Sequence, residues 1–242
     1  MISKAEIKRV RSLHQKKFRD EQKCFIAEGP KVISDLLNSE YKAKEIYSLG
    51  KMAFPLHTPA IEVTEKELEI MSALTTPNNA IGIFEMHCPK LNLPSLKKEL
   101  VLALDEIRDP GNMGTLIRIA DWFGISDILC SGACVDLYNP KVVQATMGSM
   151  ARVNVHYVNL QEVVSGFNNV YGTVLNGKSI YTEELSENGI ILIGNESRGI
   201  SETLLGLVTQ KISIPNFSSG ADSLNAAAAG AIICSEFRRR TG

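Results

Sequence analysis

Leu100-Val101-Leu102-Ala103-Leu104-Asp105-Glu106-Ile107-Arg108-Asp109-Pro110-Gly111-Asn112-Met113-Gly114-Thr115-Leu116-Ile117-Arg118-Ile119-Ala120 is the stretch whose reading decides the fold. Its first five residues are a continuous apolar run, which suits a strand buried on both faces, as in a parallel sheet. The run ends in acidic residues and a Pro-Gly turn. An apolar-periodic helix is then predicted from about Asn112 to Phe123. Asn112 has the side chain of a helix cap. Arg118 lies among Leu116, Ile117 and Ile119. A guanidinium in such company is expected to be aimed at something anionic.

The same change from strand to loop to helix recurs towards the C-terminus. Strands are predicted at Asp127–Cys130, Arg152–Val158, Val170–Leu175, Ile190–Ile193 and Lys211–Ile214, with helices at Pro140–Met150 and from Leu224 to about Arg239. Strands alternating with helices imply a parallel sheet covered on both sides. Two strand ends stand out. Ile190–Ile193 runs into Gly194-Asn195-Glu196-Ser197-Arg198-Gly199, a glycine-bracketed polar loop of the kind that binds ligands at the carboxyl edge of such sheets. The other strand ends at Ile214-Pro215. A loop of small residues follows it, then Ser223-Leu224-Asn225 and a helix faced with alanine and glycine. Small residues there permit close approach of a ligand or of another helix.

Towards the N-terminus the pattern is a smaller alternating unit. A charged helix is expected to about Arg19, a strand at Cys24–Glu28, and a helix opened by Gly29-Pro30 and running to about Ser39. Further strands are expected at Glu45–Leu49, Ile61–Thr64 and Ala80–Met86, with a helix at Lys66–Leu74. The expected division is residues 1–90 as one α/β domain, 91–99 as a linker and 100–242 as the parallel-sheet domain.

The chain has 242 residues and a net charge of −1, but the charge is uneven. Residues 1–23 carry eight basic side chains against three acidic ones, so that end is +5 and the remainder is −6. A basic end on a neutral protein suggests docking of a polyanion. Arg9, Arg11, Lys16, Lys17 and Arg19 are the candidate contacts. The five cysteines are odd in number and irregularly spaced, and no second pair of cysteines or histidines completes a metal site with Cys130 and Cys134. No metal is expected. With no signal peptide and no membrane-length apolar run, a reduced, cytoplasmic protein is expected.

Gly172-Thr173-Val174-Leu175-Asn176-Gly177-Lys178-Ser179 fits the pattern of a nucleotide-binding P-loop, which would make the chain a permuted P-loop NTPase. Its variable positions themselves look like a strand, however, and little helical periodicity follows Ser179. A turn after a strand is the preferred reading.

The three C-terminal segments together resemble the motifs of the SpoU/TrmH family of RNA ribose 2′-O-methyltransferases. Asn112 and Arg118 stand six apart as in the family's first motif. Gly194, Glu196 and Gly199 match the second, and Ile214-Pro215 with Ser223-Leu224-Asn225 the third. Tyr138–Ser149 resembles the stretch between the first two motifs, with a departure at Met147-Gly148-Ser149-Met150. The N-terminal region, Arg11–Glu28 with Gly29, is similar to the family's RNA-binding domain, a small ribosomal-protein-like α/β fold.

The resemblance implies a SPOUT domain with a deep trefoil knot, a homodimer formed through the C-terminal domain, and methylation of a ribose in structured RNA, ribosomal RNA being favoured over transfer RNA. It implies S-adenosylmethionine held by Gly194, Asn195, Ile214, Pro215, Ser223 and Leu224, and catalysis by Arg118 with Asn112, Glu196, Ser223 and Asn225. A non-catalytic RNA-binding protein on the same fold is the other alternative. It would be favoured if Asn112, Arg118 or Glu196 were missing, and all three are present.

Overall fold

In the computed structural model, which describes residues 2–217, 220 and 223–239, the chain begins with α1 (Lys4–Ser12), α2 (Lys16–Gln22), β1 (Cys24–Glu28), α3 (Pro30–Leu37), β2 (Ala43–Leu49), β3 (Ile61–Val63), α4 (Glu65–Met71) and β4 (Ala80–Glu85). It continues with α5 (Leu93–Leu96), β5 (Leu100–Leu104), α6 (Pro110–Trp122), β6 (Asp127–Cys130), α7 (Pro140–Thr146), β7 (Asn154–Tyr157) and α8 (Leu160–Val164). The last elements are β8 (Val170–Ser179), β9 (Gly189–Ile193), α9 (Glu202–Leu205), β10 (Gln210–Ser213) and α10 (Ala226–Arg239). Two compact units result. The first runs to Cys88 and takes in Asp136–Arg152; the second holds Pro89–Val135 and resumes at Val153.

In the first unit, four strands pair in the order β1-β4-β2-β3, with β1 and β2 antiparallel to β4. β1 is buried throughout because it is covered on both faces. On one face Val10 and Leu13 pack with Ile26, Tyr47, Leu68, Met71 and Ile83. α3 starts at Pro30, whose fixed φ suits a first helical position, and buries Val32, Ile33, Leu36 and Leu37. The expected single N-terminal helix is two, separated by Leu13–Gln15.

Segment 136–152, expected inside the second domain, belongs to the first unit for two reasons. Arg19 is only 2% exposed; its guanidinium donates to Asp136 Oδ2 at 2.6 Å and to the carbonyls of Leu13 and His14. The Tyr138 ring packs at a tilt against Phe25, with ring centroids 4.7 Å apart. Arg19 is therefore a structural residue, and the expectation that it contacts RNA is corrected: the docking face cannot use a buried, paired guanidinium. Arg9 is half-buried and pairs with Glu6 and Glu45, so it too is committed to carboxylates within this unit.

The second unit is a six-stranded sheet, β10-β8-β9-β5-β6-β7, parallel throughout. From β5 the chain moves outwards through β6 to β7. The remaining strands, β8, β9 and β10, fall on the other side of β5. The strand order therefore reverses between β5 and β9, the place where parallel sheets open a crevice for ligands. On one face of the sheet Val101, Leu129, Val170, Ile190, Leu192 and Leu204 share a core. On the other, α10 lies close to α6: a Cβ on Gly230 would stand 2.6 Å from Leu116 and 3.1 Å from Ile193. Among the described residues no helix is long and apolar enough to cross a membrane.

The P-loop reading is excluded by this sheet. Gly172–Ser179 is part of strand β8. A Cβ on Gly177 would sit 2.5 Å from the Ile212 backbone, so this glycine serves strand packing and not a phosphate cradle.

Candidate active site

β5 and β9 lie side by side in register, Leu104 opposite Ile193. The loops that leave them are thus neighbours. Asp105 donates its N–H to the Ile193 carbonyl at 2.9 Å, and its buried carboxylate accepts from the Ser201 N–H, also at 2.9 Å. That carboxylate fixes the far end of the 194–199 loop.

The loop is closed on itself. Asn195 and Gly199 exchange backbone hydrogen bonds at 3.0 and 2.9 Å, and Asn195 Oδ1 accepts from the N–H groups of Ser197 and Arg198. Gly194 admits no side chain, since a Cβ would lie 2.2 Å from the Gly199 carbonyl carbon. Gly199 has φ +70°, which favours glycine. Asn195 Nδ2 donates to the Glu106 carbonyl at 2.9 Å. The polar groups of Asn195 are therefore engaged inside the protein. This residue braces the loop through both ends of its side-chain amide.

α6 begins one turn after β5. Asp109, not Asn112, is its cap, accepting from the Asn112 N–H at 2.8 Å, and the helix starts at Pro110. This frees the Asn112 side chain, which is buried. Its Nδ2 donates to Glu196 Oε1 at 2.8 Å, and its Oδ1 accepts from Asn225 Nδ2 at 2.8 Å. Asn225 in turn caps α10, its Oδ1 accepting from the N–H groups of Ala227 and Ala228 at 2.9 and 3.2 Å. One buried amide thus joins all three segments, 84 and 113 residues away in sequence.

Around this triad, Ser223 and Leu224 are exposed, Ile214 and Pro215 are half-exposed, and Gly194 stands at the β9 end. Residues 218, 219, 221 and 222 of the third loop lie outside the described residues.

Arg118 is not gathered into this network. It is exposed at the middle of α6, six residues and about 9 Å of helix rise from Asn112, on a different face. Gly111, Thr115, Arg118 and Trp122 form a stripe at helical spacing, and Trp122 is 85% exposed.

Sequence reasoning missed Glu106. Its backbone adopts φ +56°, a conformation that costs a non-glycine residue free energy. It is held by its N–H to Ser131 Oγ and by Asn195, and its carboxylate pairs with Arg108 at 2.7 Å. No pattern marks such a residue in advance. Cys134, close by, has its thiol lowered to about 7 by a hydrogen bond from Cys130, whose own thiol is pushed up by burial. Among the described residues no group of three or more side chains could hold a metal ion.

A parallel α/β sheet that gathers a carboxylate and two amides at its switch point defines a ligand-binding enzyme site of the carboxyl-edge class. Comparison with known proteins gives the particular family. Residues 99–235 match the SpoU rRNA Methylase family and residues 4–82 the MRM3-like substrate binding domain. The chain belongs to the SpoU rRNA methylase family. It is 30% identical, over 96% of both chains, to a Bacillus subtilis protein named 23S rRNA (guanosine(2553)-2′-O)-methyltransferase RlmP. Among solved structures, a TrmH-family protein from Porphyromonas gingivalis superposes with a TM-score of 0.88 at 34% identity, covering 99% of both chains. An AdoMet-bound rRNA methyltransferase from Sinorhizobium meliloti gives 0.85 at 30% identity, covering 99% of this chain and 96% of the other.

Proposed function

We propose that this chain transfers the methyl group of S-adenosylmethionine to a ribose 2′-hydroxyl of ribosomal RNA. The observation that carries the reading is the Asn225–Asn112–Glu196 chain of hydrogen bonds at the ends of β5 and β9. The names of the B. subtilis and S. meliloti relatives support the substrate and the donor.

The residues at this edge fit the donor. Ile214, Pro215 and Leu224 offer accessible apolar surface for an adenine, and the exposed Glu196 offers a carboxylate to the ribose hydroxyls or the amino groups of the donor. Gly194 and Ser223 border the same edge. When bound, the donor supplies an electrophilic methyl on a sulfonium. The chain's own groups do the remaining work. Asn112 fixes Glu196 by one hydrogen bond and Asn225 by another, so the carboxylate is oriented before substrate arrives. Arg118 offers a guanidinium with donors only and acts on the developing alkoxide or the adjoining phosphate, not as a base.

Because Arg118 lies away from Asn112 on its own chain, its catalytic role calls for a second copy. The reading is a cytoplasmic homodimer through the C-terminal domain, supported by the exposed stripe that carries Arg118 and Trp122. The deep trefoil knot belongs to the same reading, as do RNA contacts by Arg11, Lys16 and Lys17, which are exposed.

The test is transfer of tritium from labelled donor to ribosomal RNA, followed by alkaline hydrolysis. A 2′-O-methyl group blocks cleavage at its own linkage, so label should remain in alkali-resistant dinucleotides. Label released in mononucleotides would move the acceptor to a base, and absence of label would end the proposal.

A further inference from the structure

In the second unit two cysteines meet at the carboxyl end of β6. Cys130 closes the strand, and a turn made by the Cys134 N–H and the Ser131 carbonyl, 3.0 Å apart, brings Cys134 back towards it. Both thiols are free. Cys130 is fully buried; Cys134 is 8% exposed and follows the exposed Gly132 and Ala133. The Cys130 thiol donates a hydrogen bond to the Cys134 sulfur. Cys134 Sγ also stands 3.2 Å from the Leu104 carbonyl, to which the neutral thiol donates, and 3.6 Å from Ser131 Oγ. The bond from Cys130 is foremost in lowering the Cys134 thiol to about 7, with the Ser131 hydroxyl and the N–H groups of Ile107 and Ser131 adding to it against burial. Thiolate is therefore present at neutral pH, and the thiolate is the nucleophile. Burial keeps Cys130 protonated.

The pair is linked to the candidate active site by a short chain of hydrogen bonds. Ser131 Oγ, which touches the Cys134 sulfur, accepts from the Glu106 N–H at 2.9 Å. The Glu106 carbonyl accepts from Asn195 Nδ2, also at 2.9 Å. Asn195 is the residue that braces the 194–199 loop. Glu106, in the middle of this chain, holds φ +56°, a conformation that persists only while its surroundings enforce it.

We propose that Cys130 and Cys134 form a site of reversible oxidation, closed to a disulfide by hydrogen peroxide, and that closure loosens the 194–199 loop. The Cys134 thiolate attacks one peroxide oxygen. An S–O bond forms, the O–O bond breaks, and the departing hydroxide takes a proton to become water. Cys134 is thereby oxidised to a sulfenic acid and the peroxide is reduced. The Cys130 sulfur then attacks the Cys134 sulfur. The S–S bond forms, the S–O bond breaks, and the hydroxide leaves with the Cys130 proton as a second water. A disulfide holds its sulfurs about 2.05 Å apart, closer than any hydrogen bond between them. Closure therefore draws Cys134 Sγ off the Leu104 carbonyl and Ser131 Oγ. With Ser131 displaced, Glu106 loses one of the contacts that hold its backbone, and its carbonyl moves away from Asn195. The inference rests on the methyltransferase reading only where it concerns binding of the donor.

The experiment treats the full chain with hydrogen peroxide and reads three quantities before and after. Trypsin leaves both cysteines in one peptide, residues 119–141, whose mass should fall by about 2 Da as the disulfide closes. Amide hydrogen exchange in the 194–199 loop should speed up. Affinity for S-adenosylmethionine, measured by calorimetry, should weaken about threefold to tenfold, the scale of one lost hydrogen bond. Dithiothreitol should reverse all three changes. Cys134→Ser keeps a small hydrogen-bonding side chain; its loop exchange and donor affinity should not respond to peroxide. Cys130→Ala should stop at the sulfenic acid, which dimedone traps on Cys134. A wild-type peptide that still takes two alkyl groups after peroxide overturns the inference. So does a disulfide that leaves loop exchange unchanged. If the disulfide closes and the loop loosens while the reduced chain neither binds the donor nor transfers tritium, the oxidation site stands and the methyltransferase reading falls.

Discussion

At the residue scale the site depends on one amide. Asn112 donates to Glu196 and accepts from Asn225, so Asn112→Asp would replace its donor by a second carboxylate facing Glu196. Arg118 poses a different problem, because its distance from that amide makes its role a question about which copy it serves. If each site of a dimer combines Arg118 from one subunit with Asn112 and Glu196 from the other, two dead variants should rescue each other. Arg118→Ala and Glu196→Ala homodimers should each lose about 10²-fold or more in rate, the scale of one lost stabiliser of developing charge. Mixed and reassembled, they should recover a substantial fraction of wild-type turnover. No recovery on mixing, with mixed dimers confirmed by mass, would place Arg118 and Glu196 in the same chain's site.

At the scale of elements, α2 shows how a buried charge decides packing. Arg19→Leu should cost about 3 kcal/mol or more of stability by leaving the Asp136 carboxylate without its partner. Arg11→Ala on the exposed face of α1 should stay within about 0.5 kcal/mol. Denaturant titration of both variants decides this; equal stability would make the Arg19 pair incidental. Arg19 was unreadable in advance because a lysine- and arginine-rich stretch looks solvated from end to end, and only the return of residue 136 buries one member. Strands β1, β5 and β6 were legible to the residue because an uninterrupted apolar run needs cover on both faces wherever it lies. Helices α6 and α10 were legible to within two residues from their period. The short helices α5, α8 and α9, of four or five residues, were not, since no period can show in one turn. β8 was read too short because its outer half, beyond Gly172, alternates poorly and pairs only with β10. At the site the loops were legible from their glycines and small residues. The links between them were not, because nothing local says that a capping-type asparagine will be relieved of capping by Asp109 and turned towards a residue 84 positions away.

For the whole molecule, the sequence suggests one boundary near residue 90, whereas the chain passes between the two units at Cys88–Pro89, Val135–Asp136 and Arg152–Val153. Because Asp136–Arg152 packs with the first unit, a fragment starting at Pro89 would carry that segment without Arg19 or Phe25 to hold it. Limited proteolysis of such a fragment should cut first between residues 136 and 152, at sites protected in the full chain. Equal resistance in both would show that the segment is stable without the first unit. The split also has a consequence for how the protein is made. Arg152 follows Cys88 by 152 − 88 = 64 residues, so a nascent chain must emit β5, α6 and β6 before the first unit can receive its last piece. At roughly 5–20 residues per second this leaves an interval of about 3–13 s. Until Asp136 and Tyr138 emerge, 136 − 88 = 48 and 138 − 88 = 50 residues after Cys88, Arg19 lacks its carboxylate partner and Phe25 has only the Tyr41 and Phe84 rings beside it. The first unit receives its last residue while the stretch from Val153 onward is still to be made.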